Sequence, residues 1–159
     1  MDEKQQKVAD RLRSLCSRRE NCVADILKKA CDALEGDRTA AQEVVEVLQY
    51  EKYVDDFRYA SAFARDKASI QGWGAVKIRY ILSGKGVARD VIDKALEEID
   101  EEKASSRLTK LLENKFRTLK DDPECRIKML RFALGRGYSY EEVSTEVDIL
   151  IRKAKDGEI

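Results

Sequence analysis

The sequence predicts an all-α protein made of three tandem three-helix repeats, which together form an elongated, curved helical array. Three observations support this fold class. Proline occurs once and glycine eight times in 159 residues. No stretch alternates apolar and polar residues for long enough to predict a strand. Apolar residues recur instead at the three- and four-residue spacing of amphipathic helices, in a pattern that repeats about every fifty residues.

Glycines at the ends of apolar helix patterns set the period of the repeat. The intervals from Gly36 to Gly84 and from Gly84 to Gly135 are 48 and 51 residues, and these offsets also align apolar positions in the neighbouring helices. A unit of this size buries too little apolar surface to be stable by itself, so adjacent repeats must cover one another. The predicted repeats span residues 1–52, 53–100 and 101–159.

Three helices are predicted in the first repeat. A helix over about residues 4–16 carries apolar residues on one side, and a second follows over about residues 22–34. Gly36 ends the second helix, because a left-handed residue commonly follows a helix. The Thr39-x-x-Gln42 sequence has the form of a capping box and predicts the start of the third helix.

The middle repeat begins at Asp55, whose carboxylate is suited to accept hydrogen bonds from the first turn of a helix. Asp56 falls on the apolar side of that helix. The two carboxylates could in principle hold a metal or act as acid and base. We favour the structural alternative, in which Asp55 caps the helix and Asp56 pairs with amides or an arginine of the adjacent repeat. The same helix is predicted to bury Phe57, Ala60, Phe63 and Ala64.

The second helix of the middle repeat is apolar on two sides. Gly72 and Gly74 bracket Trp73 at its start, and Gly84 ends it. Such a helix either packs between two layers or contacts a partner, and Trp and Tyr are favoured at protein interfaces. Its predicted inward side carries Ala75, Ile78, Ile81 and Leu82, and its second apolar side carries Trp73, Val76 and Tyr80.

The third repeat opens with a long helix over about residues 101–119. Asp122 followed by Pro123 predicts the next helix start, because proline is favoured at the first helical position. That helix is predicted to end at Gly135. A capping box that begins at Ser139 then predicts the last helix.

Composition argues against an enzyme. The chain has no histidine, so the usual proton shuttle near neutral pH is missing, and no phosphate-binding glycine loop follows a strand. Four cysteines form no Cys-x-x-Cys pair, and we interpret them as small buried side chains in a reducing compartment instead of zinc ligands. We therefore expect no catalytic residue, no cofactor and no metal. No apolar run reaches the length of a membrane span, and the predicted protein is cytoplasmic and monomeric.

Charge is balanced overall but unevenly distributed. The chain has 31 basic and 31 acidic residues, so bulk electrostatics alone would not hold it on nucleic acid. Two segments, 72–89 and 125–137, contain basic residues and no acid, and the repeat offsets align Lys29 with Lys77 and Lys128. A basic stripe along the array would suit a phosphate backbone or acidic patches on a filament, whereas the alternative is ordinary solvated surface. The other basic candidates are Arg79, Lys85, Arg89, Arg126, Arg131 and Arg136.

These motifs resemble one family, the RecX regulators of the RecA recombinase. Asp55-Asp56-Phe57-Arg58-Tyr59-Ala60 is similar to the Asp-Asp-x-Arg-Phe-Ala signature of that family. Further resemblance lies in Gly72-Trp73-Gly74, in Lys77-Ile78-Arg79, in Lys85-Gly86-Val87 and in Ser17-Arg18-Arg19-Glu20 after the first helix. Ile81 departs from the family, which often carries a glutamate there, and many relatives are more basic.

The resemblance implies a non-enzymatic regulator that acts in DNA repair, homologous recombination and the SOS response. Such a protein binds in the groove of the RecA–DNA filament, where single-stranded DNA is a further possible contact, and lowers ATP hydrolysis and strand exchange. Two alternatives stay open at this point. One is a stand-alone helical DNA-binding module, which could place a helix in the major groove. The other is a helical scaffold for a different protein partner.

Overall fold

The computed structural model describes all 159 residues. It contains nine α-helices and no strand, which confirms the all-α fold class. None of these helices combines the length and the apolar character that crossing a membrane requires. In chain order the helices are α1 Glu3–Arg18, α2 Val23–Ala33, α3 Arg38–Tyr50, α4 Asp56–Ser69, α5 Ala75–Gly84, α6 Arg89–Glu97, α7 Glu101–Leu119, α8 Cys125–Gly135 and α9 Tyr140–Lys155.

The chain forms two compact units. The first unit contains Met1–Phe63 and Ile81–Leu96, and the second contains Ala64–Tyr80 and Glu97–Ile159. The division falls inside α4 and α5, so the middle repeat contributes residues to both units. The predicted repeat boundaries lie between α3 and α4 and between α6 and α7, and they stay a prediction.

Helices α1, α2 and α3 enclose the core of the first unit. Asp2 caps α1 by accepting a hydrogen bond from the Gln5 amide, and the Gln5 side chain bonds back to the Asp2 amide. The predicted start of α3 at Thr39 is wrong, because Asp37 accepts the hydrogen bond from the Ala40 amide at 3.0 Å. The buried residues of this core are Val8, Ala9, Leu12, Cys16, Ile26, Ala30, Leu34, Ala41, Val44, Val45, Leu48 and Val54.

Helices α7, α8 and α9 enclose the core of the second unit. Ser139 caps α9 in the predicted capping box. The predicted start of α8 at Pro123 is wrong by two residues: Asp122 accepts a hydrogen bond from the Glu124 amide in a tight turn, and the helix begins at Cys125. The buried residues of this core are Leu108, Leu112, Met129, Leu130, Ala133, Tyr138, Val143, Val147 and Leu150.

Two burial predictions in the middle repeat are wrong. Phe57 lies in the first turn of α4 and is 40% exposed, and Ala75 is exposed at the start of α5. Both errors occur at helix ends. A helical pattern gives the direction of a side chain but not whether another element covers it there.

The two carboxylates at the start of α4 have the structural roles expected of them. Asp55 accepts a hydrogen bond from the Arg58 amide at 3.0 Å and caps α4. Asp56 accepts a hydrogen bond from the Val23 amide at 2.8 Å and so caps α2 of the first repeat. Burial raises the pKa of Asp56 above its ordinary value, and the carboxylates of Asp55 and Asp25 raise it further, while the Val23 N–H lowers it.

Replacing Asp56 with asparagine should remove a pH dependence from the stability of the protein. A carboxyl whose folded-state pKa is raised stabilises the fold most in its protonated form, and that contribution is lost as the pH rises through the folded-state pKa. Asp56→Asn keeps an oxygen to accept from Val23 and cannot titrate. We expect the stability of the variant relative to the native chain to increase as the pH rises above the ordinary range of carboxyl groups. Urea unfolding at several pH values measures this difference, and a constant difference would contradict the assignment.

Candidate binding surface

Two lysine side chains lie close to the indole ring of Trp73. The Nζ of Lys67, on α4, is 4.8 Å from the centroid of the indole ring, and the Nζ of Lys77, on α5, is 4.2 Å from it. Both distances are within the range of cation–π attraction. The backbone holds the ring in place, because the Trp73 amide donates to the Lys67 carbonyl at 2.9 Å.

A second aromatic ring in the same unit has a similar environment. The Nζ of Lys115, on α7, is 4.7 Å from the centroid of Phe132, and the Cζ of Arg136 is 5.3 Å from it. Arg136 also donates from Nη1 to the Gln71 carbonyl at 3.5 Å, two residues before Trp73. We call this group the cation–π surface; its members are Lys67, Trp73, Lys77, Lys115, Phe132 and Arg136.

Backbone contacts bring the start of α5 against the end of α8. The Gly74 amide donates to the Arg136 carbonyl at 2.8 Å, and the Val76 amide donates to the Gly137 carbonyl at 2.9 Å. These amides belong to the first turn of α5, where a helix offers no acceptor of its own. Tyr138 adds a third bond, from its hydroxyl to the Gly72 carbonyl at 3.0 Å.

We call the contact of Gly74 and Val76 with Arg136 and Gly137 the glycine joint, because side chains would prevent it. A Cβ on Gly74 would lie 2.4 Å from the Gly137 carbonyl oxygen, and a Cβ on Gly137 would lie 2.2 Å from the Cβ of Lys77. Gly137 also has a φ of +95°, which is strained for any other residue. The glycine joint therefore places Trp73 and Lys77 beside Arg136.

The basic residues predicted from sequence fall into two electrostatic groups. Three of them pair with carboxylates: Lys85 with Asp25 at 3.2 Å, Arg126 with Asp148 at 3.0 Å, and Lys128 with Asp122 at 2.6 Å. The hydrogen bond that Lys128 donates to the Asp122 carboxylate raises the pKa of Lys128. These pairs are solvent-accessible, so they contribute little stability, but they neutralise charge locally.

Five of the other basic residues keep their charge available. Lys29, Arg89 and Arg131 are exposed and form no ion pair. Lys77 and Arg136 face aromatic rings, which attract a cation without cancelling its charge. The cation–π surface therefore combines four positive charges with two rings in one unit.

The register of the basic stripe is wrong in the first repeat. Lys77 and Lys128 each lie seven residues before the last residue of their helix, whereas Lys29 lies four residues before the end of α2. The left-handed glycines that follow these helices are Gly36, Gly86 and Gly137, whereas α5 and α8 end at Gly84 and Gly135 as predicted. Apolar positions recur at every helical turn, and a repeat alignment can therefore slip by one turn.

The second apolar side of α5 faces solvent. Tyr80 is 77% exposed and Val76 is 56% exposed, whereas Trp73 is half-buried. Packing against an adjacent repeat is therefore excluded for Val76 and Tyr80. Contact with a partner stays a prediction for both, and Arg79 beside them is half-buried.

Three members of the cation–π surface were missed by sequence reasoning. Phe132 is four residues before Arg136, and that helical spacing was a signal for their contact. Lys67 lies on α4 and contacts the ring of Trp73 in the turn that follows this helix. Lys115 lies on α7 and contacts the ring of Phe132 on α8. No sequence spacing indicates these two contacts. No group of acidic or cysteine side chains is arranged to hold a metal ion.

The comparisons with known proteins agree on one family. Residues 55–96 match the family described as "RecX, second three-helix domain", and residues 101–145 match "RecX, third three-helix domain". The chain is 34% identical over 115 residues to regulatory protein RecX of Clostridium botulinum (strain Eklund 17B / Type B), covering 70% of this chain and 53% of that relative. It is 30% identical over 135 residues to regulatory protein RecX of Pectobacterium atrosepticum, covering 80% and 82% of the two chains. The chain spans about half the length of the clostridial relatives that it matches.

Two solved structures share the fold. A crystal structure of regulatory protein RecX superposes with a TM-score of 0.81 at 23% identity, covering 92% of this chain and 72% of the other. The crystal structure of RecX from Lactobacillus salivarius gives a TM-score of 0.81 at 18% identity, covering 94% and 98%. At these identities the similarity bears on the fold alone.

Proposed function

The chain belongs to the RecX family of regulatory proteins, and from this premise we propose that it is a non-enzymatic modulator of the RecA recombinase, mainly an inhibitor. It binds in the groove of the RecA–DNA filament and contacts neighbouring protomers. In that position it blocks filament extension or promotes disassembly, and so it lowers ATP hydrolysis and strand exchange. This activity belongs to DNA repair and recombination in the cytoplasm.

The cation–π surface is the observation that carries the proposal. Lys77, Lys115 and Arg136 lie against rings and form no ion pair with a carboxylate, so they remain able to attract an anionic partner. An acidic face of a filament or the phosphates of the DNA inside it would have the required charge. The exposed Val76 and Tyr80, on the helix that carries Lys77, add apolar area of the kind found at protein interfaces.

A stand-alone DNA-binding module is the second candidate, and the same basic group favours it. The net charge of zero argues against tight binding to bare DNA, because such affinity comes largely from neutralising phosphates. A scaffold for another protein would use Val76 and Tyr80 without needing the cations.

The DNA-dependent ATPase of the cognate recombinase tests the proposal. Purified protein should lower the ATPase rate at ratios well below one protein per RecA protomer, since one bound molecule at a filament end or groove affects many protomers. Binding to naked single-stranded DNA should be measured in parallel at several salt concentrations. No loss of ATPase activity at equimolar protein would overturn the proposal, and tight binding to bare DNA with a steep salt dependence would favour the DNA-binding module.

A further inference from the structure

The contacts of the first repeat with α4 and α5 differ in kind from the glycine joint. Inside the first unit, three side-chain interactions connect the start of α2 and the residues before it to later helices. We call them the ionic joint; they are the pairs Asp56 with the Val23 amide, Arg58 with Glu20, and Lys85 with Asp25.

Charge and exposure distinguish the ionic joint from the glycine joint. Arg58 is exposed and Glu20 is half-exposed, and both members of the Lys85–Asp25 pair are partly accessible to solvent. Ion pairs in such positions are weakened by salt. The glycine joint consists of neutral backbone hydrogen bonds between close-packed glycines, which salt does not screen in this way.

The helices of the first repeat have a core of their own. Eleven of the twelve buried residues in that core lie between Val8 and Leu48, within α1 to α3 and the turn after α2, and α1, α2 and α3 contact one another directly. The packing of α1, α2 and α3 on one another therefore does not pass through the ionic joint.

We propose that the ionic joint is a salt-sensitive hinge, which opens to release the start of α2 from α4 and from Lys85, the residue after α5, while the core of the first repeat and the glycine joint stay closed. This inference does not depend on the proposed function, because it concerns contacts within the chain. Opening exposes residues that the closed joint covers. Cys22 is one of them, since it precedes Val23 in the chain and is 0% exposed.

Cys22 is therefore a built-in reporter of the hinge. Burial raises the pKa of its thiol, which lowers the fraction of reactive thiolate while the joint is closed. Cys125 belongs to the second unit and is half-buried, and it provides an internal reference for the alkylation chemistry.

Alkylation of the native full-length chain with iodoacetamide, followed by peptide mass spectrometry, measures opening. We expect the Cys22 rate, relative to Cys125, to rise roughly three- to tenfold between 50 mM and 500 mM sodium chloride, as expected for losing two accessible ion pairs. In the double variant Arg58→Gln and Lys85→Gln the rate should already be high at low salt and should no longer depend on salt. The control variant Lys4→Gln removes an accessible ion pair of the first unit outside the ionic joint, that of Lys4 with Glu35, and should behave like the native chain.

Hydrogen exchange of backbone amides separates hinge opening from unfolding. The Val23 amide should exchange faster at high salt, while the amides of Leu48, Gly74 and Val76 should not change. A Cys22 rate that is independent of salt would overturn the proposal. Equal acceleration at Val23 and Leu48 would also overturn it, because that result means unfolding of the first repeat.

Discussion

Replacing Gly74 with alanine is expected to destabilise the second unit by about 2 to 4 kcal/mol. The new Cβ would lie 2.4 Å from the Gly137 carbonyl oxygen, and backbone atoms on both sides leave no flexible side chain to move away. The two backbone segments must move apart, so the hydrogen bonds from Gly74 to Arg136 and from Val76 to Gly137 lengthen or break. Overpacking and lost hydrogen bonds therefore add to each other.

Gly84→Ala provides the matched control. Gly84 is the last residue of α5, has no positive φ, and nothing lies within 4 Å of a Cβ built on it. Alanine there should leave stability unchanged or raise it by up to about 1 kcal/mol, because glycine loses more conformational freedom on folding. Urea unfolding followed by the fluorescence of Trp73, the one tryptophan of the chain, reports on the second unit directly. Equal midpoints for the two variants would show that the glycine joint is not close-packed.

Reversing two charges of the cation–π surface is expected to raise the concentration of protein that halves the recombinase ATPase by at least about tenfold. The variant combines Lys77→Glu with Lys115→Glu, one cation from each ring. Glutamate at position 77 lies in the first turn of α5, where a negative charge is favourable to the helix, so the fold should be retained. The loss then reflects repulsion from an anionic partner.

The double variant Lys103→Glu and Lys110→Glu makes the same total charge change, with both substitutions on α7, the helix that carries Lys115. Both lysines are exposed, and neither lies over an aromatic ring. We expect this control to inhibit the ATPase within about threefold of the native protein, as long-range electrostatics alone has a small effect at physiological salt. Circular dichroism should give the same helix content for both double variants. A role for the cation–π surface would be contradicted if the Lys77→Glu and Lys115→Glu double variant still inhibited the ATPase while the Lys103→Glu and Lys110→Glu double variant did not.

Local rules in the sequence were sufficient for the helices and for several caps. Apolar spacing predicted the all-α fold, and Asp55 and Ser139 cap the helices that they were predicted to cap. Asp56 was also interpreted correctly, because a carboxylate on the apolar side of a helix needs a buried donor, and the Val23 amide supplies one. Such features depend on residues a few positions apart, which the order of the chain already sets.

Contacts between distant helices were decided only by the tertiary structure. The sequence placed Gly72 and Gly74 at a helix start, but the reason for glycine at position 74, the close approach of Gly137, depends on how α5 meets α8. Lys115 reaches Phe132 from another helix, and pairing with Asp122 removes Lys128 from the available charge. Hydrophobic periodicity determines which side of each helix is buried, but it recurs with every turn and carries no information about which turn meets which neighbour. Side-chain volume and backbone approach in the folded protein make that choice.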